Sequence, residues 1–537
     1  MADASPAPER SRDEAAAHVL HLDLHNPLDD DPDLAVIPES SAPDLNRWRM
    51  LAVIAVAQLM IVLDGSIVNV ALPHMQEALG ISDANRQWVV TAYTLAFGGM
   101  LLLGGRVADY WGRKRTFLVG LLGFAAASAL GGMSSSQEHM FAARGLQGLF
   151  AAMLAPAVLS LMTVAFTEPK ERAKAFGVFG ALSGGGAAIG LILGGILTDG
   201  PGWRWVMWVN VPLALVTAVL AWFLVRESKS AGHPSYDLPG AALSSLGLLS
   251  LVYGFTRVAD SADGWGDPIA IACLVASVVL ISAFVMVERR VAHPLLPLRI
   301  PANSVRGGSY LTFLLVGAGL FAMFLFLSFY FQGVLGYSAL RAGLHFLPFS
   351  LGIILTAGVV ARLLPLIGPR PMMISGLAVA STGMLLLVRI QTEDQYWTHV
   401  FPSLAMMSIG MAFVFIPASS TALMGVQPRD AGIASALLNT AQQVGGSVGL
   451  ALLSTLSLAA TNRSVDEIGT VSSTLADGTV VQVAGPESLV AGFHAGFMWG
   501  AALLALGLIA AAVFVRVRKH EFHAPGQGDV AEVSLPV

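Results

Sequence analysis

Apolar runs of 18 residues or more recur along the chain from Trp48 to Val515, separated by short polar breaks. Each run is long enough for a helix to cross a hydrocarbon core of about 30 Å. The breaks place helices one to seven near residues 48–72, 86–106, 115–134, 138–164, 172–198, 204–225 and 239–257. Helices eight to fourteen follow near 268–288, 306–332, 341–363, 370–390, 398–424, 430–458 and 489–515. The pattern predicts an all-α integral membrane fold of fourteen transmembrane helices, with both chain ends on one side.

Composition excludes a soluble protein. Of 537 residues 55% are hydrophobic and only 12% charged, with a mean hydropathy of +0.69; a soluble chain of this size needs far more charge to wet its surface. Residues 1–46 hold 11 of the 35 acids and read as a disordered acidic tail, without the order of a cleaved signal peptide. Of the 30 lysines and arginines, 23 fall on the side of the termini and six on the other, which puts both termini in the cytoplasm. Arginine outnumbers lysine 25 to 5, a bacterial bias, so a bacterial plasma membrane is expected. The lone Cys273 lies in an apolar helix, which excludes a disulfide framework and a thiolate metal site.

Two echoes divide the spans. Gly186-Ala-Ala-Ile-Gly190-Leu191 in helix five is matched by Gly445-Gly-Ser-Val-Gly449-Leu450 in helix thirteen, and Gly105-Arg-Val-Ala-Asp109 by Gly358-Val-Val-Ala-Arg362. Paired halves are how many transporters build a central site that opens alternately to each side. The expected organisation is an acidic tail (1–46), a six-helix bundle (47–226), a linker with two extra transmembrane helices (227–300), a second six-helix bundle (301–516) and a cytoplasmic tail (517–537). The segment 459–488, rich in Ser, Thr, Gly and Asp, is predicted to be an external flap.

The stretch Gly105-Arg-Val-Ala-Asp109-Tyr-Trp-Gly112-Arg113-Lys114-Arg115, between helices two and three, resembles the signature loop of the major facilitator superfamily. Leu63-Asp64-Gly-Ser-Ile-Val-Asn69-Val-Ala-Leu-Pro73 is similar to the motif of its drug:proton antiporters, and Arg144-Gly-Leu-Gln147-Gly148 to its arginine motif. Trp203-Arg204-Trp205, Asn210-Val-Pro212 and Asp237-Leu-Pro239-Gly240 resemble the fourteen-helix branch. The resemblance covers about residues 48–460. It implies that Gly105, Asp109, Gly112 and Arg113 form a conformational latch, and that Arg144 is tied to proton coupling. One departure stands in helix five: Leu191 occupies the place where such antiporters usually carry proline after Gly190. Gly186, Gly190 and Gly194 still form an i, i+4, i+8 stripe suited to a tight helix contact, a helix-five gate.

Ionisable groups inside spans are costly and mark function. Two lie deep, Asp64 and Arg144. At 1.5 Å per residue, Asp64 lies ~13 Å below Pro73 and Arg144 ~10 Å below Gln137, so they share a depth and can pair. Burial favours the neutral form of a carboxyl and a neighbouring guanidinium the charged form, so a change in their separation would move a proton. Asn69, Gln147, Phe324, Tyr330, Asn439 and Gln443 are the candidates for substrate contact, from aromatic and polar residues on spans one, four, nine and thirteen.

The function expected is proton-coupled antiport exporting hydrophobic or amphipathic drugs by alternating access. No nucleotide-binding motif of the Gly-x4-Gly-Lys-Ser/Thr type occurs, so the proton gradient is the expected energy source, with no cofactor and no metal. The expected partners are a small substrate, protons and lipid, with no nucleic acid, and the expected state is a monomer. An importer of a small solute shares the same fold. A membrane-embedded enzyme is a weaker alternative, since His-Glu-x-x-His is absent.

Overall fold

The computed structural model describes residues 45–517 apart from 167, 230–236, 292–293, 394–395, 427–429 and 475–479; the expectations for most of the acidic tail and for the chain beyond 517 lie outside these residues. The long helices are α1 (Leu45–Leu79), α2 (Trp88–Trp111), α3 (Arg113–Gly132), α4 (Gln137–Ala165), α5 (Pro169–Asp199), α6 (Arg204–Leu224) and α7 (Leu238–Asp260). The remainder are α8 (Pro268–Glu288), α9 (Ser304–Val334), α10 (Ala339–Ile367), α11 (Pro369–Arg389), α12 (Tyr396–Leu423), α13 (Ala431–Ile468) and α14 (Pro486–Phe514). Among the described residues thirteen of these are long and apolar enough to cross a membrane. The fourteenth, α5, carries the apolar stretch Gly185–Asp199. The predicted helix count therefore stands. We call the side where the described chain starts and ends proximal, and the other distal.

Two expectations need correction. Helix α1 continues through Pro73 to Leu79 instead of ending there. Helix α13 runs on to Ile468, ten residues past its predicted end, and stops at Gly469, whose φ of +85° few other residues adopt. The flap predicted for 459–488 is thus helix followed by a β-hairpin, in which β1 (Thr470–Thr474) pairs antiparallel with β2 (Val480–Ala484), Thr470 opposite Ala484. Polarity marked the end of the apolar run. A helix can outlast the hydrocarbon when its backbone bonds are made internally.

The glycine echoes occupy matching places. A methyl on Gly186 would meet Leu59 and Val62, and one on Gly194 would meet Ile67, so the stripe packs α5 against α1. A methyl on Gly445 would overlap the Leu314 carbonyl and one on Gly449 would overlap Ala318, which packs α13 against α9 in the same manner.

One hydrophobic core joins α1, α2, α3, α4 and α6 around Ile54, Phe97, Phe124 and Leu154. A larger one joins α9 to α14 with the distal parts of α1, α2, α4, α5 and α6, and holds Ile67, Val70 and Leu72 in one cluster with Phe326 and Phe331. The distal side is consequently closed across the two halves: Ser328 Oγ donates to the Asn69 carbonyl at 2.5 Å and Gln332 Nε2 to the Val70 carbonyl at 3.0 Å. The pair α7 and α8 packs together through Gly247 and Gly254, and α7 lies against both α2 and α13. Gln87 Nε2 donates to Thr256 Oγ1 at 3.0 Å, Thr455 Oγ1 to the Phe255 carbonyl at 2.8 Å, and Arg106 Nη2 to the Pro294 carbonyl at 3.1 Å.

Candidate functional site

Arg144 is set by the approach of α4 to α2. A side chain on Gly148 would overlap the Tyr93 carbonyl, and one on Gly104 the Ala152 carbonyl, so the two backbones lie close. That approach lets Arg144 Nε donate to the Val89 carbonyl at 2.8 Å and lays its guanidinium over the Tyr93 ring at 4.5 Å. Its Nη1 donates to Asp64 Oδ2 at 2.7 Å and to Gln147 Oε1 at 2.9 Å. Asp64 is 0% and Arg144 1% exposed, so the pair is sealed from solvent and met directly, with no need of an intervening water.

The carboxylate has two further partners. Gln147 Nε2 donates to Asp64 Oδ1 at 3.1 Å and also reaches Ser128 Oγ at 2.6 Å. Asn210 Nδ2 donates to the same Oδ1 at 3.0 Å. Asn210 lies beside a break in the hydrogen-bond ladder of α6, where Pro212 offers no N–H to the Trp208 carbonyl, while Val209 keeps the helical φ of −60° and ψ of −29°. Helices α4 and α6 therefore bring a guanidinium and two amides onto Asp64 of α1. An ionised carboxyl, which only accepts, fits three donors; fully paired, such a network fixes the rotation of each helix that contributes to it.

Sequence reasoning found Asp64 and Arg144 and missed Asn210, Ser128 and Tyr93. Gln147, read there as a substrate contact, belongs to the carboxylate. The other five substrate candidates do not converge. Asn69 is buried and turns its amide back to the Gly65 carbonyl at 2.8 Å. Phe324 packs on Phe346 and Phe349 with ring centroids 5.2 and 5.4 Å away. Tyr330 is fully buried and donates to the Gln391 carbonyl at 2.8 Å. Asn439 is exposed, and Gln443 is half-buried against Gly98.

In the signature loop Arg113 Nη2 lies 3.2 Å from Asp109 Oδ1. Gly105 has room, with Pro156 3.7 Å from where a methyl would stand. Gly112 has none: at φ +124° its missing side chain is replaced by the carboxylate of Glu227. That carboxylate accepts the Lys114 N–H at 3.1 Å and the Arg115 N–H at 3.2 Å, covering the positive end of α3. Nothing in the sequence ties Glu227 to this loop, since it lies 113 residues from Lys114.

Residues 54–450 match the Major Facilitator Superfamily family model. The puromycin resistance protein pur8 of Streptomyces alboniger is 49% identical over 456 residues, covering 84% of this chain and 90% of that protein. The cephamycin export protein CmcT of Amycolatopsis lactamdurans is 37% identical over 423 residues, covering 78% and 86%. The crystal structure of a bacterial homologue of the human lysosomal transporter Spinster superposes with a TM-score of 0.63 at 14% identity, over 90% of this chain and all of that one, a likeness of fold. With the family model matched over most of its length and these relatives beside it, the chain belongs to the Major Facilitator Superfamily.

Proposed function

We propose that this chain is a proton-coupled antiporter that exports hydrophobic or amphipathic drugs, antibiotics among them, by alternating access across a bacterial plasma membrane. The reading rests chiefly on one observation: a fully buried carboxylate, Asp64, held by Arg144 and Gln147 of α4 and by Asn210 of α6. A group so placed exchanges a proton only when the helices around it part, which ties protonation to conformation. Asp64 carries the coupling proton and Arg144 with its two amide neighbours holds the empty carrier. The stripe Gly186, Gly190 and Gly194 joins α5 to the helix that bears Asp64, so motion of the helix-five gate reaches the carboxylate directly. The loop of Gly105, Asp109, Gly112 and Arg113 latches the proximal side, which is cytoplasmic in this reading. Relatives named for puromycin resistance and cephamycin export support an antibiotic as substrate.

The test is expression in a pump-deficient bacterium challenged with an antibiotic panel that begins with puromycin. Wild type should raise resistance to at least one compound and Asp64→Asn, at equal membrane abundance, should not. Unchanged susceptibility throughout the panel would sink the drug-export reading. Uptake of the same compound into right-side-out rather than inside-out vesicles would reverse the direction.

A further inference from the structure

On the distal side the halves meet where α5 ends and α10 begins. Asp199, the last residue of α5, turns its carboxylate onto the first turn of α10: Oδ1 accepts the Ala339 N–H at 2.9 Å and Oδ2 the Leu340 N–H at 2.8 Å. These are two of the N–H groups that a helix start leaves without an internal partner, and an anion there is further favoured by the helix dipole. Ser338, which precedes α10, accepts the next N–H, that of Arg341, at 3.3 Å. Backbones touch at the same place. A side chain on Gly195 would overlap the Leu340 backbone, and one on Gly343 would overlap the Leu191 carbonyl. The other distal hydrogen bonds between halves, from Ser328 and Gln332, end on neutral carbonyls, whereas those to Asp199 carry its charge and are roughly twice as strong.

We infer that Asp199 is the latch of the distal entrance, and that its carboxylate leaves the start of α10 each time that entrance opens. The inference rests on the alternating-access reading above and adds its distal fastening. Gly195 and Gly343 make the latch possible by letting α5 and α10 approach until the carboxylate spans both N–H groups. Asp199 touches none of the groups around Asp64, so it is a positioning residue: it sets the balance between closed and open forms without carrying the proton.

The test measures distances between spin labels at Ser82 and Trp397, both exposed on the distal side, one in each half, in the full-length chain with Cys273→Ala in lipid nanodiscs. Asp199→Asn, which keeps one acceptor oxygen, should raise the ratio of long to short distances about tenfold, the loss of one charge-assisted hydrogen bond, and Asp199→Ala, which keeps none, should raise it further. A second variant acts from the other side. Ala339→Pro deletes the N–H that Oδ1 accepts, at the first helical position where proline is admitted and after Ser338, which is already extended at φ −64° and ψ 158°. It should give the same shift as Asp199→Asn, with Asp199 intact. Variants that match wild type, in a wild type that itself switches with substrate or proton gradient, overturn the latch and leave alternating access standing. One unchanging distance in wild type and variants alike overturns both.

Discussion

Asn210, at the break in α6, donates its amide N–H to Asp64 Oδ1 across 3.0 Å, with 146 residues of chain between them. Its presence brings a third helix to a carboxylate that α4 alone would otherwise hold. Asn210→Ala removes one of the two donors on that oxygen. A buried hydrogen bond to a charged group is worth about 1.5–3 kcal/mol, so the melting temperature in detergent should fall and gradient-driven transport with it. If both are unchanged, Asn210 contributes nothing to Asp64.

Gly148 and Gly145 are neighbours in sequence with opposite surroundings. A methyl on Gly148 overlaps the Tyr93 carbonyl, while one on Gly145 meets nothing within 4 Å. Gly148→Ala should push α4 off α2, draw Arg144 from Val89 and Asp64, and abolish resistance. Gly145→Ala should be neutral, or stabilising by up to about 1 kcal/mol from helix propensity. Equal resistance from the two variants would contradict the close approach that places Arg144.

Gly190 faces Ser66 across the contact between α5 and α1, where an added methyl would overlap the Ser66 hydroxyl. That hydroxyl bonds only back to its own helix, to the Val62 and Leu63 carbonyls at 3.2 and 3.0 Å. Gly190→Ala should therefore impair transport, and the double variant Gly190→Ala with Ser66→Ala should recover most of it. Failure of the second change to rescue the first would mean that Gly190 matters for backbone freedom and not for contact.

Asp267 precedes α8 and accepts the Ile269 and Ala270 N–H groups at 2.8 and 2.9 Å, with Arg257 Nη2 3.1 Å away. The hydroxyl of Ser261, together with those backbone donors and Arg257, holds its carboxyl below the usual aspartate range. A depressed folded value means stability present above the unfolded value of about 4 and lost as pH falls through the folded one. The melting-temperature gap between wild type and Asp267→Asn should thus be widest at neutral pH and close in acid below about pH 4. A gap that holds constant into acid would show that the cap acts by shape alone.

The helices and the ion pair were legible because both rest on one-dimensional signals. A run of apolar residues announces a span wherever it packs, and an aspartate or arginine inside one is conspicuous. Asn210, Ser128 and Gln147 were not legible as one site, since an amide declares no partner. Which way it faces depends on the rotation of α3, α4 and α6, fixed by contacts such as Gly148 on Tyr93 and by the Pro212 break. The substrate candidates failed to converge for a related reason: Phe324 and Tyr330 meet other aromatic or carbonyl groups of their own half, and abundance of phenylalanine in α9 does not say which rings face a cavity. The end of α13 was misplaced because polarity of Asn462, Arg463 and Ser464 marks the limit of lipid, whereas Gly469 marks the limit of helix.

The insertion holds both halves at once: α7 bonds Gln87 at the start of α2 and Thr455 of α13, and Pro294, in the segment after α8, bonds Arg106 of α2. Two bodies that rock about a shared line cannot keep all of these bonds at fixed length. In the alternating-access reading the insertion is therefore a spring along this flank, stretched each time the two halves rock apart.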